Sequence, residues 1–109
     1  MNITFKDIPT GLFKAKVYDI KEAKGPYGPY LQIVFTIIEK GELHRYRFSG
    51  IVKPSALKQS KFYRWVSNIL GEEPKDVFST NDMIGKECLI CLSKQNDFYS
   101  VIDVSMIPV

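Results

Sequence analysis

The chain has 109 residues, of which 45% are hydrophobic and 25% charged, with a formal net charge of +3. This length fits one domain, and the composition excludes a disordered tail. No apolar run approaches the roughly 20 residues needed to cross a bilayer. Residues 1–7 lack the basic and then apolar order of a secretion signal. We therefore expect one domain over residues 1–109, in a cytoplasmic protein without a membrane partner.

Two stretches with alternating hydrophobicity predict the first two strands. Residues 11–22 place Phe13, Ala15 and Val17 on one face and Lys14, Lys16 and Tyr18 on the other. Residues 25–30 contain two Gly-Pro steps, which predict a turn or loop bearing Tyr27 and Tyr30 because proline cannot continue a central strand. The second strand spans residues 30–39, with Leu31, Ile33, Phe35 and Ile37 facing inward and Tyr30, Gln32, Val34 and Thr36 facing outward.

A short connection at residues 40–42 predicts a hairpin leading into a third strand over residues 43–52. In this strand Tyr46 and Phe48 alternate with outward residues, which are Arg45, Arg47 and Ser49. Gly50 interrupts the strand where a bulge or bend would fit.

The period then changes to that of an amphipathic helix. Its apolar stripe consists of Phe62, Trp65, Val66, Ile69 and Leu70. Ser60 is placed to cap its start and Gly71 its end. Residues 72–85 are polar and irregular, and two more strands follow over residues 86–94 and 98–106, joined by residues 95–97.

The order β-β-β-α-β-β predicts an all-β fold with one helix, the five-stranded OB-fold barrel. A β-sandwich is the main rival, but it would not explain a single helix between the third and fourth strands. The residues expected to fill the barrel are Phe13, Val17, Ile33, Phe35, Phe48, Trp65, Ile69 and Ile90.

Cys88 and Cys91 form a C-x-x-C pair, which can mark a zinc or redox site. A zinc site needs further ligands, and His44 is the only histidine. A redox pair should begin a helix, whereas residues 87–92 indicate a strand. Residues three apart on a strand face opposite sides, so we expect two reduced, metal-free packing cysteines.

The outward residues of the predicted barrel combine cations with aromatic rings. OB-folds bind ligands on strands two and three, and single strands need cations for phosphates and flat rings for bases. Either Phe98 or Tyr99 must also face outward after the last turn. The candidate nucleic-acid-binding residues are Lys14, Lys16, Tyr18, Tyr27, Tyr30, Gln32, Arg45, Arg47 and Tyr99. An ordinary solvated sheet is the competing interpretation, since exposed strands often bear such residues.

Three segments resemble small phage-type and mobile-element single-stranded-DNA-binding proteins with an OB-fold. The segments are GLFKAKV at 11–17, GPYLQIVF at 28–35 and WVSNILG at 65–71, and Ile84-Gly85-Lys86 matches the start of their closing strand. The resemblance implies a role in handling single strands during replication or recombination. Tyr30 is the one proposed contact at a defined motif position. The sequence ends in Met-Ile-Pro-Val, so we do not expect recruitment through the acidic tail that many such proteins have.

We therefore expect a non-catalytic binder of single-stranded DNA, with RNA as the alternative nucleic acid and self-association left open. A second hypothesis is an OB-type protein-interaction module in a replication or virion assembly. A third is a nuclease, which would need clustered carboxylates to hold a divalent metal. Because Asp19 and Glu39 are the only acids paired at strand ends, we expect no catalysis and no cofactor.

Overall fold

The computed structural model describes residues 1–4, 11–95 and 98–108, with Gln95 described by its backbone only. The strands are β1 (Gly11–Gly25), β2 (Gly28–Ile37), β3 (Arg47–Val52), β4 (Glu87–Gln95) and β5 (Phe98–Ser105), and the α-helix is α1 (Lys61–Leu70). A 3₁₀ helix, Thr80–Met83, precedes β4. The predicted order of five strands and one α-helix is confirmed. The predicted connection at 95–97 falls largely on residues 96–97, outside the described part.

The five strands form one antiparallel sheet in the order β3-β2-β1-β4-β5. The two edge strands, β3 and β5, approach each other closely. A Cβ added at Gly50 on β3 would lie only 2.9 Å from the carbonyl oxygen of Val101 on β5. No β3–β5 ladder joins them within the described residues. The sheet is therefore open, and the predicted barrel is shown only as a curled five-stranded sheet.

The turn or loop predicted for residues 25–30 is a tight hairpin turn, shorter than predicted. β1 continues to Gly25 and β2 begins at Gly28, which leaves a two-residue turn, Pro26–Tyr27. Pro29 lies within β2, opposite Lys24. A proline is tolerated there because the β2–β3 ladder ends at Leu31, so no neighbouring strand needs an N–H from Pro29.

The third strand begins later than predicted, at Arg47 instead of Leu43. Residues 38–46 form a longer connection in which Leu43 is buried and Arg45 has φ 73°. Arg45 is therefore a loop residue, not an outward strand residue. Gly50 was expected at a bulge, but it pairs with Ile33 in an unbroken register.

The hydrophobic core lies on the inner face of the sheet, beneath α1. Of the predicted core residues, all are buried except Phe13 and Phe48, which are half-buried and packed against the others. Inner pairs such as Val17–Phe35 and Ile33–Gly50 explain this burial, since paired residues share a face. No helix among the described residues is long and apolar enough to cross a membrane.

The helix begins and ends as the sequence predicts. The Ser60 hydroxyl accepts a hydrogen bond from the Tyr63 N–H at 3.1 Å, and Gly71 ends the helix in the left-handed conformation with φ 78°. The side-chain amide of Asn68 donates to the Val104 carbonyl at 2.9 Å. The helix is thereby fixed to β5 on one side.

Trp65 fixes α1 to the opposite edge of the sheet. Its indole is fully buried, and a Cβ at Gly50 would lie only 2.9 Å from the Trp65 Cη2 atom. Glycine is therefore required at position 50 by the close approach of the ring and not by a bulge. Trp65 contacts β3 where β3 lies beside β5, so one side chain closes the gap between the edge strands.

Replacing Gly50 by Ala should lower the free energy of unfolding by about 1–3 kcal/mol, because neither the indole nor the Val101 backbone can move away freely. Urea denaturation followed by the fluorescence of Trp65, the single tryptophan, measures this loss. Gly25→Ala is the matched control, since its Cβ would lie 3.2 Å from the Tyr30 ring, which can move, and 3.9 Å from the nearest backbone atom, the Gly28 carbonyl oxygen. That control should change stability within about 0.5 kcal/mol. Equal losses in the two variants would contradict the assigned role of Trp65.

The two cysteines lie on opposite faces of β4, as predicted, and both are free. Cys88 pairs with Ala15 on the inner face and is buried, while Cys91 is half-buried. Burial raises the pKa of the Cys88 thiol to about 12. At pH 8, iodoacetamide should therefore alkylate Cys91 in the folded protein and leave Cys88 unmodified, whereas both react in urea. Peptide mass spectrometry after each treatment checks this, and rapid native labelling of Cys88 would show that its strand face is misassigned.

Candidate nucleic-acid interface

The strand register places three polar side chains in one row across the outer face of the sheet. Lys16 pairs with Thr36, and Thr36 pairs with Arg47. Paired residues in an antiparallel sheet present their side chains on the same face. Two cations from β1 and β3 therefore flank a hydroxyl on β2.

A β-bulge brings an aromatic ring into this row. The β1–β2 register shifts between Val17 and Asp19, so Tyr18 is the extra residue on β1. Its ring is 47% exposed, and the Arg47 guanidinium carbon lies 3.7 Å from the ring centroid. This cation–π contact holds the guanidinium in place over the outer face.

Arg45 reaches the same region from the loop before β3. Ile37 bonds to two successive residues, since its carbonyl accepts from the Arg45 N–H and its N–H donates to the Tyr46 carbonyl, both at 2.9 Å. Arg45 and Tyr46 therefore lie opposite the single residue Ile37, which is the arrangement of a β-bulge. In this type of bulge the first residue, here Arg45, has a left-handed backbone conformation and is usually glycine. Arg45 is the only non-glycine residue with positive φ among the described residues.

These residues line a groove of about 620 Å³ on the outer face, here named the basic groove. Its polar lining consists of Lys16, Tyr18, Thr36, His44, Arg45 and Arg47. None of the described residues that line it is a carboxylate, although the exposed Glu87 on β4 is the register partner of Lys16 on the same face. The Thr36 hydroxyl on its floor is buried and has no hydrogen-bond partner within the described residues.

A second concavity of about 530 Å³ lies further along β3, where β3 approaches β5. Three exposed apolar residues border it, here named the apolar patch: Ile51, Phe98 and Ile102, exposed by 57%, 76% and 39%. Lys61, at the start of α1, also lines it. Between the patch and the basic groove, the Gln32 amide donates to the Ser49 hydroxyl at 3.1 Å. The outer face therefore changes from basic to apolar along β2 and β3.

The orientation of the last strand differs from the simplest expectation. The β4–β5 register shifts so that Ile102 is the extra residue on β5. This bulge places Phe98 outward, while Tyr99 is half-buried beside Lys94, whose ammonium lies 6.0 Å from the ring centroid. Of the two aromatic residues, Phe98 rather than the chosen Tyr99 is the exposed one.

The predicted binding residues do not all lie in one groove. Lys14 is exposed on the same face, one outward position before Lys16, but does not line the groove. Tyr30 lies six residues along β2 from Thr36, about 20 Å away, and Tyr27 lies beyond it in the turn. The Tyr30 ring packs near Gly25, where an added Cβ would lie 3.2 Å from Tyr30 Cε1.

The sequence pattern does not identify two residues of this face as candidate binding residues. One is His44, which lines the basic groove. The position of His44 depends on the left-handed backbone conformation of Arg45. The sequence does not indicate that conformation, because no glycine stands at position 45. Phe98 could be recognised only by knowing the bulge at Ile102.

The acids considered for a nuclease bond to the backbone. Asp19 Oδ1 accepts from the Ile20 N–H at 2.8 Å, and Glu39 Oε1 accepts from the Lys14 N–H at 3.4 Å. In the described ranges, no three His, Cys, Asp or Glu side chains come together as a metal site would require.

The chain was compared with protein-family models and with curated proteins, and neither comparison gave a match. The similarity of its motifs to single-stranded-DNA-binding proteins therefore stays a resemblance.

Replacing Arg45 by Gly should raise the free energy of unfolding by about 0.5–1 kcal/mol. The left-handed conformation costs an arginine about 1–2 kcal/mol, more than the roughly 0.4–1 kcal/mol of chain entropy that glycine adds to the unfolded state. Thermal unfolding measures the gain. Arg47→Gly removes the same charge from a neighbouring residue in ordinary strand conformation, and it should be destabilising. If both glycine variants lose stability, the Arg45 side chain stabilises the fold and the strain argument is wrong.

Proposed function

We propose that this protein binds single-stranded nucleic acid, in particular single-stranded DNA during replication or recombination, and that it catalyses no reaction. The observation that supports this most directly is the basic groove beside the apolar patch on one face. Single strands expose both phosphates and unpaired bases, so a binding surface needs cations and flat apolar groups together. An ordinary solvated sheet would not need its cations gathered into a groove free of carboxylates.

We also propose that the sheet is an OB-type barrel. The strand order, the close approach of β3 to β5 and the position of α1 between β3 and β4 agree with that fold. OB-folds bind ligands on strands two and three and on the adjacent loops. The basic groove and the apolar patch both lie along those strands.

In the proposed complex, phosphates occupy the basic groove and bases extend toward the apolar patch. Lys16, Arg45 and Arg47 would each contact a phosphate, and Lys14 would contact the next one. The exposed Phe98 ring offers a stacking surface for a base, and Tyr30 offers a second one on β2.

The alternative is a protein-interaction module that uses the same face. The apolar patch favours it, since exposed apolar residues grouped together often mark protein contacts. The two functions differ in their dependence on salt. Binding through phosphates releases counterions and weakens steeply with salt, whereas an apolar protein contact does not.

The direct test is a fluorescence-anisotropy titration with oligo-dT, a matching RNA and a duplex at several salt concentrations. With four phosphate contacts, log affinity for oligo-dT against log salt should have a slope of about −3, since each contact contributes about 0.7 on a single strand. Arg47→Gln should weaken binding to every sequence and flatten the slope by about 0.7. Duplex should bind less tightly than oligo-dT, because its bases are already stacked. No binding of oligo-dT at low salt would refute the proposal.

Arg64→Gln is the matched control for charge. Arg64 is exposed on α1 and pairs with Asp103 at 3.2 Å, away from the basic groove. Its loss changes the net charge by the same amount, so it should leave the slope unchanged. Equal effects of Arg64→Gln and Arg47→Gln would indicate a response to net charge alone.

The aromatic contacts give a different signature in the same assay. Phe98→Ala and Tyr30→Ala should each reduce the binding free energy by about 1–3 kcal/mol with the salt slope kept, because stacking releases no counterions. Tyr99→Ala serves as the neighbouring control and should have a smaller effect on binding, since Tyr99 lies on the opposite face of β5 from Phe98 and beside Lys94. If Tyr99→Ala weakens binding more than Phe98→Ala, the outward face of β5 is misassigned.

A further inference from the structure

The β1–β2 hairpin projects beyond the rest of the sheet. β2 pairs with β3 only as far as Leu31, and β1 pairs with β4 only as far as Lys16. Residues 23–25 of β1 and 28–30 of β2 therefore pair only with each other near the hairpin end. This two-stranded segment, residues 23–30, is here named the ribbon, and it extends about 10 Å past the last β2–β3 pair.

Several features stiffen the ribbon. The pairing continues to Gly25 and Gly28, so only Pro26 and Tyr27 form the turn. Pro26 and Pro29 each have a fixed φ. The Tyr30 ring packs close to Gly25 and covers the backbone where that residue has no side chain. The end of the ribbon is therefore held in one conformation with few rotatable groups.

The tip of the ribbon carries an almost fully exposed aromatic side chain. Tyr27 is 92% exposed, more than any other tyrosine that the structure describes. Lys24 is exposed on the ribbon, and Lys21 and Glu22 are exposed just before it. The fold gains nothing from this ring, since burial of a tyrosine and not its exposure stabilises a protein.

The outer face of β2 leads from the basic groove directly to this tip. Thr36, Gln32 and Tyr30 share that face, and the chain then turns at Tyr27. A single strand bound along β2 would leave the protein past the ribbon. If that strand continued into a duplex, its first base pair would meet Tyr27.

We propose that the ribbon recognises the junction between single-stranded and double-stranded DNA. Tyr27 stacks on the exposed terminal base pair, and Lys24 contacts a phosphate that flanks it. A terminal base pair presents a free π-face, which a ring on a rigid support can cover at little cost in conformational entropy. This inference rests on the proposed function, since the single-stranded tail must occupy the outer face for the junction to reach the tip.

The test compares two ligands, a free dT20 and the same dT20 carried as a tail on a 12-base-pair duplex, with separate 5′-tailed and 3′-tailed forms. The wild-type protein should bind one tailed form roughly tenfold more tightly than dT20, which corresponds to one additional stacked base. Tyr27→Ala should lower the ratio of the tailed-duplex affinity to the dT20 affinity until only the non-specific attraction of the added duplex phosphates is left. Tyr27→Trp should keep the wild-type ratio. Arg47→Gln should weaken binding to both ligands and leave the ratio unchanged.

The outcomes separate this inference from the proposed function. If wild type binds dT20 but binds both tailed forms within about twofold of it, junction recognition is overturned and single-strand binding stands. A tenfold preference that Tyr27→Ala retains also overturns the inference, because the duplex phosphates alone would then explain it. Absence of dT20 binding at low salt refutes the proposed function itself.

Discussion

The contact between Trp65 and Gly50 determines how the two edges of the sheet meet. α1 bonds to β5 through Asn68 and packs its indole against β3, so the helix spans the gap between strands that are distant in the sheet order. A side chain on residue 50 would force these strands apart. Because β3 and β5 lie side by side, Ile51 and Phe98 come from different parts of the chain to border one concavity. The apolar patch is thus a consequence of core packing.

The bulges at Tyr18 and Ile102 place two aromatic rings on the outer face, where the candidate nucleic-acid interface lies. A strand with strict alternation would leave Tyr18 as one of several outward residues, whereas the bulge positions its ring beneath the Arg47 guanidinium. The bulge at Ile102 similarly places Phe98 at the surface. A bulge costs a ladder hydrogen bond and increases local twist. At both positions the ring is placed beside a cation or an apolar neighbour on the outer face.

Helices and strands with a regular hydrophobic periodicity were predictable from the sequence. Bulges and turns that interrupt this periodicity were not. The spacing of Trp65, Val66 and Ile69 and the caps at Ser60 and Gly71 gave the helix, because local propensity and burial agree there. The inward set of β2 followed from alternation for the same reason. The start of β3 was misplaced, since Arg45 occupies a turn conformation that only glycine or asparagine would have indicated. The grouping of Lys16 with Arg45 and Arg47 needed the register, which alternation within single strands does not supply.

The electrostatics of the outer face follow from distribution and not from net charge. A net charge of +3 on 109 residues is mild, yet Lys16, Arg45 and Arg47 line one groove without a carboxylate among its described residues. Like charges placed together repel, and Arg45 in addition takes a backbone conformation unfavourable to its residue type. Tyr18 offsets part of this cost through its contact with Arg47, but the structure gives Arg45 no such partner among the described residues. An anionic ligand in the groove would reduce the repulsion among these cations, which is the electrostatic basis of the proposed function.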